Sequence, residues 1–254
     1  MASSADRMAA GAGFGALAKA DELKKRLWFT VGALIIYRLG TYLPLPGIDP
    51  GALADIFSQQ SSGILGMFDM FSGGALSRMT IFALNIMPYI TASIIMQLMT
   101  AIVPSLEALK KDGEAGRKII NQYTRYLTVF LATVQGYGMA VGLERAEGLV
   151  LNPGLFFQVS TVTTLVAGTV FLMWLGEQIT ARGIGNGISL IIFVGIIAEL
   201  PLAFAQFFSQ GRSGALNSAT IVGVLFMIGA TLTFVGFMER ALRKITIQYP
   251  RRQV

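Results

Sequence analysis

Long apolar runs alternate with short polar stretches along this chain. A helix that crosses a bilayer needs roughly 20 mainly apolar residues. Six stretches meet that length, near residues 27–45, 76–103, 122–143, 154–176, 186–208 and 218–238. The pattern predicts an all-α polytopic membrane protein with six transmembrane helices.

One apolar run breaks the pattern. Residues 64–71 read I-L-G-M-F-D-M-F. As a helix they would rise only about 12 Å, against a hydrocarbon core of about 30 Å. A polar S-Q-Q-S-S-G precedes the run and S-G-G at 72–74 follows it. The next full span must begin on the side that the first span reached. The run therefore lies among the headgroups as an interfacial helix, or dips in and turns back as a re-entrant one. The pattern leaves both open. Non-helical backbone at membrane depth is tolerated only where protein or a wet cavity surrounds it, so the re-entrant reading requires a channel or transporter. Gly73 and Gly74 suit the turn, because glycine accepts backbone angles that other residues avoid.

The far end changes period. I-T-I-Q-Y at 245–249 alternates as a short strand does. An isolated edge strand is not a stable unit, which predicts that the chain is part of a longer protein.

Composition narrows the chemistry. The chain is 54% hydrophobic and 13% charged, with a mean hydropathy of +0.62. Soluble domains carry about 25% charged residues. Cys and His are both absent. That excludes a disulfide framework, a thiolate metal site, a Cys nucleophile and the His-based hydrolase motifs. No catalytic, cofactor-binding or metal-binding residues are expected, and the chain does not read as an enzyme.

The net charge of +6 has a topological explanation. With the N-terminus in the cytoplasm and alternating spans, cytoplasmic segments hold Arg7, Lys19, Lys24, Lys25, Arg26, Lys110, Lys111, Arg117, Lys118, Arg125, Arg182, Arg240, Arg243, Lys244, Arg251 and Arg252. The other side receives Arg78, Arg145 and Arg212. The positive-inside rule favours this orientation. The basic N-terminal cluster precedes an apolar run of span length that ends in P-L-P-G, not in a small-residue cleavage site. It reads as a cytoplasmic tail before a retained helix.

Few ionisable residues fall within spans. Arg38 is expected to snorkel or to meet a backbone carbonyl. Glu177 and Glu199 lie near span ends, and no carboxylate pair sits at mid-depth, which argues against a proton relay. Asn85, Thr91, Gln97, Thr100, Gln135, Thr163 and Thr164 could bond between helices or line a hydrophilic path; the sequence does not separate these. G-I-G-N-G-I-S at 183–189 lacks the preceding strand of a dinucleotide loop and reads as a tight turn between spans. Ile86 and Ile90 share one helical face, which by itself indicates lipid contact or packing.

Longer motifs carry a resemblance. M-F-S-G-G-A-L-S-R followed by F-A-L-N-I-M-P-Y-I-T-A-S-I-I-M-Q, and F-L-M-W-L-G-E-Q-I-T-A-R-G-I-G-N-G-I-S-L-I-I-F, resemble the signatures of the bacterial SecY family, the central subunits of the Sec protein-translocation channel. I-Y-R-L-G-T-Y-L-P-L-P-G-I-D, K-K-D-G-E-A-G-R-K and N-Q-Y-T-R-Y match as well. The resemblance runs from about residue 22 to the end.

The resemblance implies a ten-helix channel of two inverted halves, of which this chain supplies the first. It divides the chain into a cytoplasmic tail (1–26), the N-terminal half of the channel (27–208, with a plug at 63–73), an external loop and sixth helix (209–238), and the start of a truncated cytoplasmic loop (239–254). Ile86, Ile90 and Ile192 match a pore ring. Ile64, Leu65, Met67, Phe68, Asp69, Met70, Phe71, Ser72, Gly73 and Gly74 match the plug, with Asp69 expected to line a wet funnel. Thr91 and Gln135 match one side of a lateral gate. Arg240, Arg243, Lys244, Arg251 and Arg252 match the root of a loop that contacts the ribosome or SecA, ribosomal RNA included. The implied partners are SecE, SecG, the SecA ATPase or the ribosome, a precursor or nascent polypeptide with a signal sequence, and lipid. The implied location is the bacterial inner membrane. No cofactor is implied. A secondary transporter with a re-entrant loop is the competing reading, and an intramembrane enzyme a weaker one. One departure is visible: Asn85 stands where the family pattern leads us to expect Gly.

Overall fold

A computed structural model describes residues 21–49, 51–53, 66, 69, 70, 72–146, 148–214 and 217–241. Among these, seven helices of eight residues or more follow in chain order. They are α1 (Asp21–Gly40), α2 (Met87–Ile102), α3 (Pro104–Lys111), α4 (Glu114–Glu144), α5 (Leu155–Arg182), α6 (Gly187–Arg212) and α7 (Ser218–Arg240). No strand longer than an isolated bridge occurs among the described residues; Pro44 pairs with Thr80, and Ile48 with Val150. The alternating segment at 245–249 lies outside the described residues.

Four helices are long and apolar enough to cross a membrane: α4, α5, α6 and α7. α2 and α3 together meet the same test, but the chain bends by 99° between them. Pro104 opens α3, and proline both lacks a backbone donor and pushes the residue before it out of helical geometry. Val103 is accordingly extended (φ −95°, ψ 114°). Two expected spans are shorter as helices than as apolar runs. α1 begins in D-E-L-K-K-R and ends at Gly40, and residues 41–49 continue as turns. The run at 76–103 becomes helical only at Met87, with residues 75–86 mostly in turns.

Those turns have structural causes. Met79 and Asn85 adopt left-handed angles (φ +43° and +49°), which end regular helix. Leu45 N–H donates to Met79 O (2.9 Å) and Ile81 N–H to Leu43 O (3.0 Å), so the stretch after α1 satisfies its backbone against them.

The chain divides into two compact units, Met1–Leu200 and Pro201–Val254. In the first, α4 packs on α2 and α5, and α5 also packs on α1. Residues every four positions make these faces. On α4, Thr124, Thr128, Ala132, Gly136 and Ala140 are buried; on α2, Pro88, Ala92, Met96 and Thr100 are. Four-residue spacing keeps side chains on one helical face, and small residues there let helices approach closely without a water-driven hydrophobic effect. Thr91, Thr100, Thr124, Thr128, Thr133 and Thr164 donate their hydroxyls to carbonyls of their own helix. Of the threonines that could bond between helices or line a path, Thr91, Thr100 and Thr164 thus bond within their own helix. In the second unit, α7 is apolar around its whole circumference, as a lipid-facing span is.

Candidate functional site

Residues 72–86, which follow the short segment, meet α1, α5 and α6 in one place. Ser72 and the two glycines make a turn that only glycine adopts freely, with φ +66° at Gly73 and +76° at Gly74. The turn carries its own internal ties. Asp69 Oδ1 accepts from Ser77 N–H (2.8 Å), and the Ser72 hydroxyl lies 3.2 Å from the same oxygen. Ser72 Oγ in turn accepts from Leu76 N–H (3.1 Å). Gly73 N–H donates to Met70 O and Gly74 N–H to Asp69 O. Asp69 is half-buried and caps the turn, so its carboxylate needs no wet funnel to be tolerated.

A second set of ties holds the turn from outside. Arg38, in the last turn of α1, donates through Nη1 to Gly73 O at 2.7 Å. This is the backbone-carbonyl contact expected of a cation within a span. Glu199 on α6 lies 3.9 Å from Arg38 Nη2 and 3.6 Å from Arg78 Nη2. Both cations stand over the Tyr42 ring, Arg78 at 4.6 Å and Arg38 at 5.6 Å. A cation at that distance is attracted to the ring face. Sequence reading missed this cluster. Its signal was present, because opposite charges on two different spans, Arg38 and Glu199, are expected to find each other in lipid.

Directly after the turn, Ala75 enters an apolar cluster. Ala33, Tyr37, Phe82, Ile86, Leu172, Leu175, Ile179 and Ile191 are its other buried members, and Ile90 and Ile192 pack against it. The structure thus brings Ile86, Ile90 and Ile192 to one place, from α2 with its preceding turn and from α6. Their settings differ. Ile86 is wholly enclosed (0% exposed), whereas Ile90 and Ile192 are half-buried. Ile191, one residue away, is also wholly enclosed; the buried stripe Gly187, Ile191, Gly195 on α6 identifies it.

Asn85 now has a reason. Its φ of +49° lies in the region that Gly enters freely and that Asn tolerates better than other residues. Asn meets the same backbone requirement that the expected Gly would meet.

The other expected residues lie elsewhere. Thr91 on α2 and Gln135 on α4 are exposed. Arg240 ends α7 and is exposed. Ile64, Leu65, Met67, Phe68, Phe71, Arg243, Lys244, Arg251 and Arg252 lie outside the described residues. G-I-G-N-G-I-S links α5 to α6, with Ile184 N–H donating to Thr30 Oγ1 and Gly187 N–H to Thr180 Oγ1. Arg125 on α4 binds Glu177 on α5 through two donors, at 3.0 and 2.7 Å, a pair the sequence did not single out. No group of three Asp or Glu residues with metal-site spacing occurs among the described residues.

A charge-tied turn beside an aliphatic cluster, in a chain with four helices long and apolar enough to cross a membrane among its described residues, defines a multi-pass membrane protein. The SecY family model matches residues 80–254, and the chain belongs to the SecY family. It is 54% identical over 235 residues to protein translocase subunit SecY of Escherichia coli K12, covering 91% of this chain and 53% of that protein. It is 55% identical over 233 residues to the same subunit of Pseudomonas aeruginosa PAO1, covering 92% and 52%. The chain therefore spans about half the length of these relatives. Its fold is similar to a solved protein-conducting channel (TM-score 0.60, 19% identity, 84% of this chain and 47% of that one). It is equally similar to Sec61 in the canine ribosome–channel complex from the endoplasmic reticulum (TM-score 0.60, 18% identity, 89% and 49%). A third structure is of a SecY protein whose plug domain is described as stabilising the closed state and maintaining a membrane seal (TM-score 0.55, 22% identity, 84% and 46%).

Proposed function

We propose that this chain forms the N-terminal half of a channel that conducts unfolded polypeptide across the bacterial inner membrane and releases membrane segments sideways into lipid. The observation that carries the reading is the junction of the Ser72–Gly74 turn with the cluster containing Ile86, Ile90 and Ile192. An apolar constriction makes the passage of water and ions costly yet can yield around a peptide. In this reading residues 63–73 are the stopper, Ile86, Ile90 and Ile192 the ring, and Thr91 and Gln135 part of the lateral gate. The relative described as having a sealing plug supports the first assignment.

The channel supplies a path and no energy. Its driving partner is the SecA motor or the translating ribosome, with SecE and SecG as companion subunits. The canine ribosome–channel complex supports the ribosomal alternative. The N-terminus and the chain from Glu239 onward, beginning with the end of α7, lie in the cytoplasm, where the basic residues Arg240, Arg243, Lys244, Arg251 and Arg252 suit ribosomal RNA phosphates. The chemistry is passive, so no side chain is assigned a catalytic role.

The test uses the complete channel subunit reconstituted in liposomes with its companion subunits. Uptake of a signal-bearing precursor that requires SecA and ATP is the expected result. Accumulation of a small solute without any motor would replace this reading with a secondary transporter, whose solute site would lie at mid-depth.

A further inference from the structure

We propose that Glu199, Arg38 and Arg78 form an electrostatic latch that holds the Ser72–Gly74 turn in place and so sets how readily the short segment before it is released. The inference rests on reading that segment as a stopper.

Four observations carry it. The ties on the turn fall into two separate sets. Asp69, Ser72, Leu76 and Ser77 fix its internal shape. Arg38 and the charges around it fix its position. Loss of the second set would release the turn without unfolding it.

The cradle also fits a backbone that lacks side chains. A methyl group at Gly73 would come within 2.9 Å of both Arg38 Nη1 and Gly195 O. One at Gly74 would lie 2.7 Å from Glu199 Oε1 and 2.8 Å from Arg78 Nη2. The glycine pair is therefore seated against the three charged side chains themselves.

Glu199 is the hub of the arrangement. It is the anion shared by both cations, and without it Arg38 and Arg78 would face each other over one tyrosine ring with no other ion-pair partner among the described residues. Neutralising it removes two attractions and leaves one repulsion uncompensated. Arg38 is then drawn away from Gly73 O.

Finally, the latch is built to open. Both Glu199 contacts are longer than a hydrogen bond, and the Arg38, Glu199 and Arg78 side chains keep 23%, 25% and 39% of their surface exposed. Pairs of that kind are weak and screened by salt. A buried bidentate pair would lock the segment; this one biases it.

The experiment measures ion leak through the complete channel subunit in planar bilayers, with no motor and no precursor present. Arg38→Gln, which loses the 2.7 Å bond to Gly73 O, should raise the leak roughly tenfold, and Glu199→Gln, which loses two weaker pairs, about two- to fivefold. Glu199→Asp should recover part of the seal. In a variant lacking residues 64–72, which should itself leak, Glu199→Gln should add nothing.

A leaking deletion beside a tight Glu199→Gln overturns the latch and leaves the stopper reading standing. Further leak from Glu199→Gln in the deletion background also overturns it, because the pair would then support the bundle rather than the segment. A deletion that does not leak removes the stopper reading and the latch with it. Should the charge variants fail to purify as folded protein, Tyr42→Leu at an exposed ring gives a milder route and a smaller rise is expected. In the unmodified channel, leak normalised to bath conductivity should climb with ionic strength; a flat response contradicts the latch.

Discussion

At the scale of single residues, the informative positions are those where a side chain answers a backbone demand. Asn85 is the clearest. It is buried and left-handed, at the residue before Ile86. Ordinary L-residues lose about 1–2 kcal/mol in that conformation, whereas Gly does not. Asn85→Ala should therefore lower stability by about 1–2 kcal/mol. Asn85→Val should lose more, because a β-branched residue is a true outlier there. Asn85→Gly should stay within about 1 kcal/mol of the parent, as relief of strain is offset by a more flexible unfolded chain. Thermal unfolding in detergent ranks the three; an Asn85→Ala protein that melts with the parent would show that the backbone does not impose the choice. Asp69 belongs to the same class. Within an apolar run, its Oδ1 is held by Ser77 N–H and the Ser72 hydroxyl.

Among elements, the distinction lies between helix faces that approach through side chains and those that approach through backbone. Gly136 on α4 and Gly168 on α5 look alike in sequence. A methyl at Gly136 would sit 3.7 Å from Leu165 Cδ1 and Val162 Cα, an ordinary contact. A methyl at Gly168 would overlap the Ile81 carbonyl, which is backbone and cannot swing aside. Gly136→Ala should therefore be neutral or slightly stabilising. Gly168→Ala should lower stability by about 1–3 kcal/mol, the usual cost of forcing extra volume into a packed site. Melting of the two variants side by side tests this, and equal behaviour would contradict the packing described. The same contrast explains what could be read in advance. Apolar length gave α4 to α7 and the turn between α5 and α6, because lipid imposes a span length on sequence. It did not give the late start of α2, because I-F-A-L-N-I-M is as apolar as a helix and only the left-handed residues Met79 and Asn85 betray the turns. Nor did it give Arg125 with Glu177, or the Glu199 hub: the opposite charges on separate spans are visible in the sequence, but which of them meet depends on rotation about helix axes that hydropathy does not encode.

For the whole molecule, the question is whether residues proposed to close a channel can be separated from residues that hold the bundle together. The three aliphatic residues assigned to the ring do not stand in equal settings. Ile86 has no exposed surface and touches the centre of the cluster formed by α1, α5 and α6, while Ile90 and Ile192 border it half-buried. A seal needs only a narrow, dry collar, so polar substitution at the border should wet it while the bundle stays intact. At the centre, the same substitution removes core volume and buries a hydroxyl, which costs at least the 2–5 kcal/mol typical of truncating a buried Ile to Ala. Ile90→Ser and Ile192→Ser should therefore raise ion leak with little change in unfolding temperature. Ile86→Ser should raise leak and also lower the unfolding temperature by several degrees. The two measurements, conductance in planar bilayers and thermal unfolding in detergent, are made on the same protein samples. Tight channels with serine at both 90 and 192 would remove those residues from the ring. A leak from Ile86→Ser alone, always accompanied by lost stability, would then report damage to the bundle rather than an opened seal, and the constriction would have to be sought among other residues of the same cluster, beginning with Ile191.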